Sequence, residues 1–150
     1  MKLHPKVEAA VEFERAREAL ASGSALAALV HLEKSLQLHD DPSRYSYLGY
    51  CIAKERGLAK KGIELCQNSL LQEPEEPAHY LNLGKIHLIS GNKEEALKAF
   101  REGIAKGENN EILMLLSRIG TRKPPVISSL SRNNPLNRYL GMLFKRIGLR

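Results

Sequence analysis

Apolar positions in this chain recur in helical stripes, and the stripes themselves recur every 34 residues. Tyr80, Leu83, Gly84 and His87 stand at i, i+3, i+4 and i+7, the spacing of a half-buried helix that starts at Glu76-Pro77 and stops at Ser90-Gly91-Asn92. Ala96, Leu97, Phe100 and Ile104 mark a second helix, closed near Lys106-Gly107. One period earlier the same punctuation predicts helices from Tyr45 to Arg56 and from Ala59 to Gln72. One period earlier again it predicts helices from about Pro5 to Ser22 and from Ala25 to His39. Gly23, Gly57 and Gly91 fall in register, as do Leu32, Cys66 and Phe100; Ser35, Ser69 and Gly103; and Ala28, Gly62 and Ala96. A period of this length marks stacked helix pairs, each burying its apolar face against its neighbours. Such units offer a surface rather than a reaction centre.

The motif Tyr80-xx-Leu83-Gly84-xx-His87, followed by Gly91, Ala96 and Phe100, resembles the tetratricopeptide repeat (TPR) family. Tyr45-xx-Leu48-Gly49 and Pro74 repeat it in the second unit. The first unit diverges, with Ala16 and Ala28 at the small positions but Glu12 where an aromatic is expected. Leu48 to Gly62 is one residue longer than Leu83 to Ala96, which predicts an extra residue in the turn around Lys54 to Gly57. The resemblance implies an all-α, right-handed superhelical solenoid of three helix hairpins, spanning about 9–42, 43–76 and 77–110. A solvating helix over 111–120 completes the first domain, residues 1–120. Residues 121–150 form a second region: a Pro-containing linker, then a basic amphipathic helix from Asn134-Pro135 to Ile147.

Charge divides the chain in the same place. From Ile112 to Arg150 there are eight basic residues and no Asp or Glu, whereas the first 111 carry 15 basic and 17 acidic groups, a net of −2. The formal net charge of +6 therefore resides in the tail, at Arg122, Lys123, Arg132, Arg138, Lys145 and Arg146 among others. That asymmetry either attracts an anionic partner or only keeps the protein soluble. Leu136, Leu140, Leu143, Phe144 and Ile147 line one side of the tail helix, which suits a cap on the open end of the repeats. It also suits an amphipathic helix on an anionic membrane. Tyr139 and Phe144 alone are available there for stacking, which disfavours nucleic acid.

Catalysis and metal binding lack support. Five histidines are scattered without paired ligand spacing, no phosphate loop or GxSxG occurs, and no metal site or cofactor is expected. Cys51 and Cys66 have no CxxC partner, and Cys66 lies in the core register, which fits a reduced, cytoplasmic setting. The N-terminus leads into charged sequence rather than an apolar signal core.

In the resembled fold the first helix of each unit lines a concave groove. By periodicity its wall comprises Phe13, Glu14 and Arg17, then Ser46, Tyr47, Tyr50 and Lys54, then Leu81, Asn82, Lys85, Leu88 and Ile89. The expected function is therefore a non-enzymatic protein–protein interaction module, an adaptor or chaperone-like protein that takes a peptide or helix of another protein in this groove. The two-carboxylate clamp of some TPR proteins is matched only at Asn82. The alternatives are an electrostatic tether to membrane or RNA through the tail, or a secretion-type TPR chaperone. Self-association, and the tail helix folding back into the groove, stay open.

Overall fold

The structure is a computed structural model that describes residues 2–120 and 134–148. Arg122, Lys123 and Arg132 lie outside the described residues. Among those described there are eight α-helices and no strand: α1 Pro5–Ala21, α2 Ala25–Leu38, α3 Tyr45–Arg56, α4 Ala59–Gln72, α5 Pro77–Ile89, α6 Lys93–Lys106, α7 Asn110–Ile119 and α8 Pro135–Arg146. A 3₁₀ turn, Pro42–Arg44, leads into α3. Three helices begin on proline behind a side-chain cap: His4 before α1, Glu76 before α5 and Asn134 before α8. The turn glycines that keep the 34-residue register adopt the left-handed conformation, at φ 83°, 69° and 77° for Gly23, Gly57 and Gly91.

The chain divides into two compact units, Met1–Arg118 and Ile119–Arg150. Within the first, α1 packs on α2, α3 on α4 and α5 on α6, and α3 and α4 also pack against α5 while α2 packs on α3. This is a solenoid of three helix hairpins. Leu29, Leu32, Cys51 and Ile52 fill the core between the first two hairpins, while Ala53, Cys66 and Ile86 continue it between the second and third. Burial pushes the Cys51 thiol up to about 12, and the Cys66 thiol upward as well, so both behave as small apolar groups.

The small residues have different reasons in different hairpins. Gly49 and Gly62 bring two backbones together, since a Cβ on either would lie 2.5 Å from the other's carbonyl oxygen. Gly84 instead leaves room for the Phe100 ring, which any Cβ there would strike. The serine register also has a cause. Ser35 Oγ donates to the Ala9 carbonyl and Ser69 Oγ to the Pro42 carbonyl, both at 2.7 Å, tying the second helix of a hairpin to the start of its first. At the third such position, a Cβ on Gly103 would lie 2.8 Å from both Tyr80 Cβ and Ile112 Cδ1, so glycine replaces the serine.

The extra residue of the second unit lies where the spacing places it, around Lys54 to Gly57, and is taken up in the last turn of α3. The first and third hairpins end in matching caps, with Ser24 N donating to Ala19 O and Asn92 N to His87 O, both at 2.8 Å. In the second, Gly57 N and Leu58 N both reach back to Ile52 O. The added residue is absorbed as a widened helical turn, which leaves the hairpin connection one residue shorter.

Candidate functional site

The first helices α1, α3 and α5 stand side by side and place their aromatic residues in a row. Phe13 and Tyr47 meet edge to face at 5.0 Å, and Tyr47 meets the His79 ring at 6.3 Å in the same manner. The Arg44 guanidinium sits 5.3 Å over Phe13. Burial raises the Tyr47 phenol above its ordinary range, so it stays neutral. Arg17 projects from α1 beside this row and is paired with Glu14 at 3.0 Å, which holds its guanidinium charge.

One turn further along α3 lies a second cluster. Tyr50 is half-buried and packs on the cores of both hairpin junctions. Two ammonium groups approach its ring: Lys85 at 4.8 Å and Lys54 at 5.9 Å from the centroid. Lys85 also forms an ion pair of 2.5 Å with Glu111 of α7. Leu88, one turn on from Lys85, is half-buried, and Ile89 beside it is exposed.

Three residues expected on the groove wall are inside the protein instead. Ser46 is 0% exposed, Asn82 4% and Leu81 8%. The physical reason is that α3 and α5 bury more of their circumference than a helix packed on one partner, because each also contacts the neighbouring hairpin. The polar pair is consumed there: Asn82 Nδ2 donates to Ser46 Oγ at 3.0 Å, and Ser46 N donates to Ser69 Oγ at 2.8 Å. Ser46 Oγ also lies 2.7 Å from His79 Nδ1, whose Nε2 lies 2.8 Å from a Glu73 carboxylate oxygen. One tautomer satisfies every group, with His79 Nε2 donating to Glu73 and the Ser46 hydroxyl donating to Nδ1. This Ser–His–Glu chain resembles a nucleophile relay in connectivity only, because His79 is 1% exposed and no substrate reaches Ser46 Oγ. With Asn82 engaged in this way, the two-carboxylate clamp is not assembled.

The aromatic register of the first hairpin is filled by another closed network. Glu12 is 2% exposed, yet it meets Arg15 at 2.9 Å, Lys34 at 2.8 Å and His31 at 2.7 Å. The Lys34 and His31 contacts hold its carboxyl down at about 2 against the opposing effect of burial. Tyr80, in the same register of the third hairpin, is buried and donates its hydroxyl to Pro74 O at 2.8 Å. His87 is half-buried, its Nδ1 enclosed without a hydrogen-bond partner.

In the second unit, Arg138, Lys145 and Arg146 are exposed on α8, as are Leu136, Tyr139, Met142, Leu143 and Ile147. Among the described residues no group of three or more His, Cys, Asp or Glu side chains is placed to hold a metal, and no helix is long and apolar enough to cross a membrane.

No protein-family model matches the chain. A TPR repeat-containing protein of Bacillus subtilis, YpiA, is 33% identical over 103 residues, or 68% of this chain. The match spans 24% of that relative's length. Among solved structures, the Arabidopsis OM64 TPR domain superposes with a TM-score of 0.59 at 15% identity, covering 77% of this chain and 96% of that one. The first TPR of Spaghetti (RPAP3), bound to the HSP90 peptide SRMEEVD, gives 0.57 at 15% identity over 77% of this chain and 92% of its own.

Proposed function

Because this chain is built of tetratricopeptide repeats, we propose that it is a non-enzymatic interaction module, adaptor or chaperone-like, whose groove takes a peptide or helix of another protein. The observation that carries the reading is the face made by Phe13, Tyr47 and Tyr50 with Lys54 and Lys85 around it. Aromatic side chains bury large area at low entropic cost, and cations at their edges orient an anionic or amide-rich ligand. The HSP90 peptide held by the RPAP3 domain supports the class of ligand. The ligand's sequence is a separate matter, since the clamp residues are differently arranged here. A cytoplasmic setting belongs to the same proposal and is supported by two buried, unpaired thiols. Self-association through the same face is compatible with it.

The reading is tested with Lys54→Glu, a charge reversal on the groove face, against Lys98→Glu on α6, an exposed residue on a second helix. Capture of the bound protein by Lys54→Glu should fall at least tenfold while Lys98→Glu and the helical circular dichroism of both stay at wild-type level. Unchanged capture by Lys54→Glu would overturn it.

The charge of the tail favours a second reading, an electrostatic tether to an anionic membrane surface or RNA. Arg138, Lys145 and Arg146 are exposed for it. Binding to phosphatidylserine vesicles that falls steeply with salt, and disappears when those three are changed to glutamine, is its signature.

A further inference from the structure

The groove already holds a carboxylate. Glu111 reaches from the first turn of α7 to Lys85, whose ammonium lies over the Tyr50 ring, and Lys54 approaches the same ring. Two cations therefore share one aromatic ring, and one of them, Lys85, is paired with the anion. Lys54 is exposed and has no ion-pair partner among the described residues, so the cluster carries one uncompensated positive charge. We infer that Tyr50, Lys54 and Lys85 form a subsite for an acidic side chain of the partner peptide, and that Glu111 occupies this subsite when the groove is empty. The inference rests on the groove reading and adds the chemistry of the ligand.

Three features make Glu111 an exchangeable occupant rather than a fixed strut. Its side chain is 45% exposed, and ion pairs at such exposure are screened by solvent and hold weakly. The anchor of α7 is a different residue: Ile112 is 0% exposed and its Cδ1 packs close to Gly103, whereas Leu113 and Met114 are half open to solvent. Glu111 can therefore leave Lys85 without α7 leaving the third hairpin. The cationic side is better fixed. The Lys85 side chain is only 21% exposed, and Tyr50 is locked between two cores, which lowers the local dielectric and favours an incoming anion.

The apolar surroundings specify what accompanies the acid. Leu88 lies one turn beyond Lys85 on α5 and Ile89 is exposed next to it. A carboxylate at Lys85 thus brings its neighbouring residue onto Tyr50, Leu88 and Ile89. The ligand is an acidic residue flanked by an aliphatic one. The position also differs from that of Asn82, whose amide is taken by Ser46 inside the seam.

The experiment is a nuclear magnetic resonance titration of the full-length labelled protein with two synthetic probes, acetyl-(Leu-Asp)₄-amide and acetyl-(Leu-Asn)₄-amide. The Asp probe should shift the Tyr50 ring and Lys85 side-chain signals and bind at least tenfold more tightly than the Asn probe. Lys85→Gln should abolish that preference. Glu111→Gln should tighten the Asp probe by two- to five-fold and leave the Asn probe unchanged, and being half-exposed it separates the effect from any loss of folding in Lys85→Gln. Equal binding of the two probes in the groove would sink the subsite while sparing the groove as a peptide site. Shifts confined to α8 around Arg138 and Lys145, no binding of the Asp probe, or weaker binding by Glu111→Gln would each overturn the inference, whereas the groove itself stands or falls with Lys54→Glu capture.

Discussion

Ser46 and Tyr47 are adjacent on α3 and belong to two different regions of the molecule. Ser46 faces the seam between the second and third hairpins, where Asn82, His79, Glu73 and Ser69 satisfy one another and nothing is left for a ligand. Tyr47 lies in the row of aromatic rings proposed to line the groove, and one turn on two ammonium groups approach the Tyr50 ring, of which Lys85 alone is paired with a carboxylate. Both regions are polar and both draw on first helices. What separates them is whether the polar groups are already spoken for. A closed network holds a fold in one register, whereas an open one has chemistry to offer.

That contrast predicts a double dissociation. The largest effect should come from His79→Ala, which leaves a cavity and strands Ser46 and Glu73. Stability should drop by about 3 kcal/mol in chemical denaturation, while ligand affinity per folded molecule falls far less than it does in Lys54→Ala.

Next is Glu12→Gln, which removes a buried anion from two cations, Arg15 and Lys34, and from the His31 ring, and should cost about 2 kcal/mol at pH 7. Its pH dependence has a definite sign. The folded carboxyl titrates at about 2, below the ordinary 4.5, so the unfolded chain binds the proton first as pH falls. The contribution is complete above about pH 4.5 and is lost between there and about pH 2. The gap in melting temperature between wild type and Glu12→Gln should therefore narrow across that window; a gap independent of pH would separate Glu12 from the network.

Asn82→Ala, which removes one donor from the Ser46 hydroxyl, should cost about 1–2 kcal/mol. As a seam variant it too should leave binding intact. The smallest stability effect belongs to Lys54→Ala, within about 0.5 kcal/mol because the side chain is exposed. This is the variant expected to lose binding. If Asn82→Ala loses ligand at unchanged stability, the boundary between seam and groove is drawn in the wrong place.

Much of this is legible in the sequence. The glycines of the 34-residue register announce the hairpin turns because only a left-handed residue closes them, and their φ values bear this out. Tyr47, Tyr50, Lys54 and Lys85 are expected on the groove wall because they fall off the stripe that packs each helix on its own partner; Lys54 is exposed and the other three are half-buried. Ser46, Leu81 and Asn82 were misplaced because periodicity marks the face turned to the partner helix and says nothing of the face turned to the next hairpin. His79 escaped notice for a related reason: it lies 33 residues from Ser46, nearly one period, so the repeat brings the two together across the seam. That near-period spacing of two polar residues is the signal that would have found them. The extra residue of the second unit could be placed around Lys54 to Gly57 but not assigned to helix or loop, since a widened last turn of α3 and a longer loop use the same number of residues. Glu111 had no signal, because the phase of α7 is fixed by one contact, Ile112 near Gly103.

The most direct measurement of the central claim places a photo-activated cross-linker at Lys54 in one preparation and at Lys98 in another, and compares adducts formed with the same captured protein. The account predicts an adduct from the Lys54 position and none from Lys98. An adduct formed from Lys98 but absent at Lys54 would place binding on the second helices and contradict it.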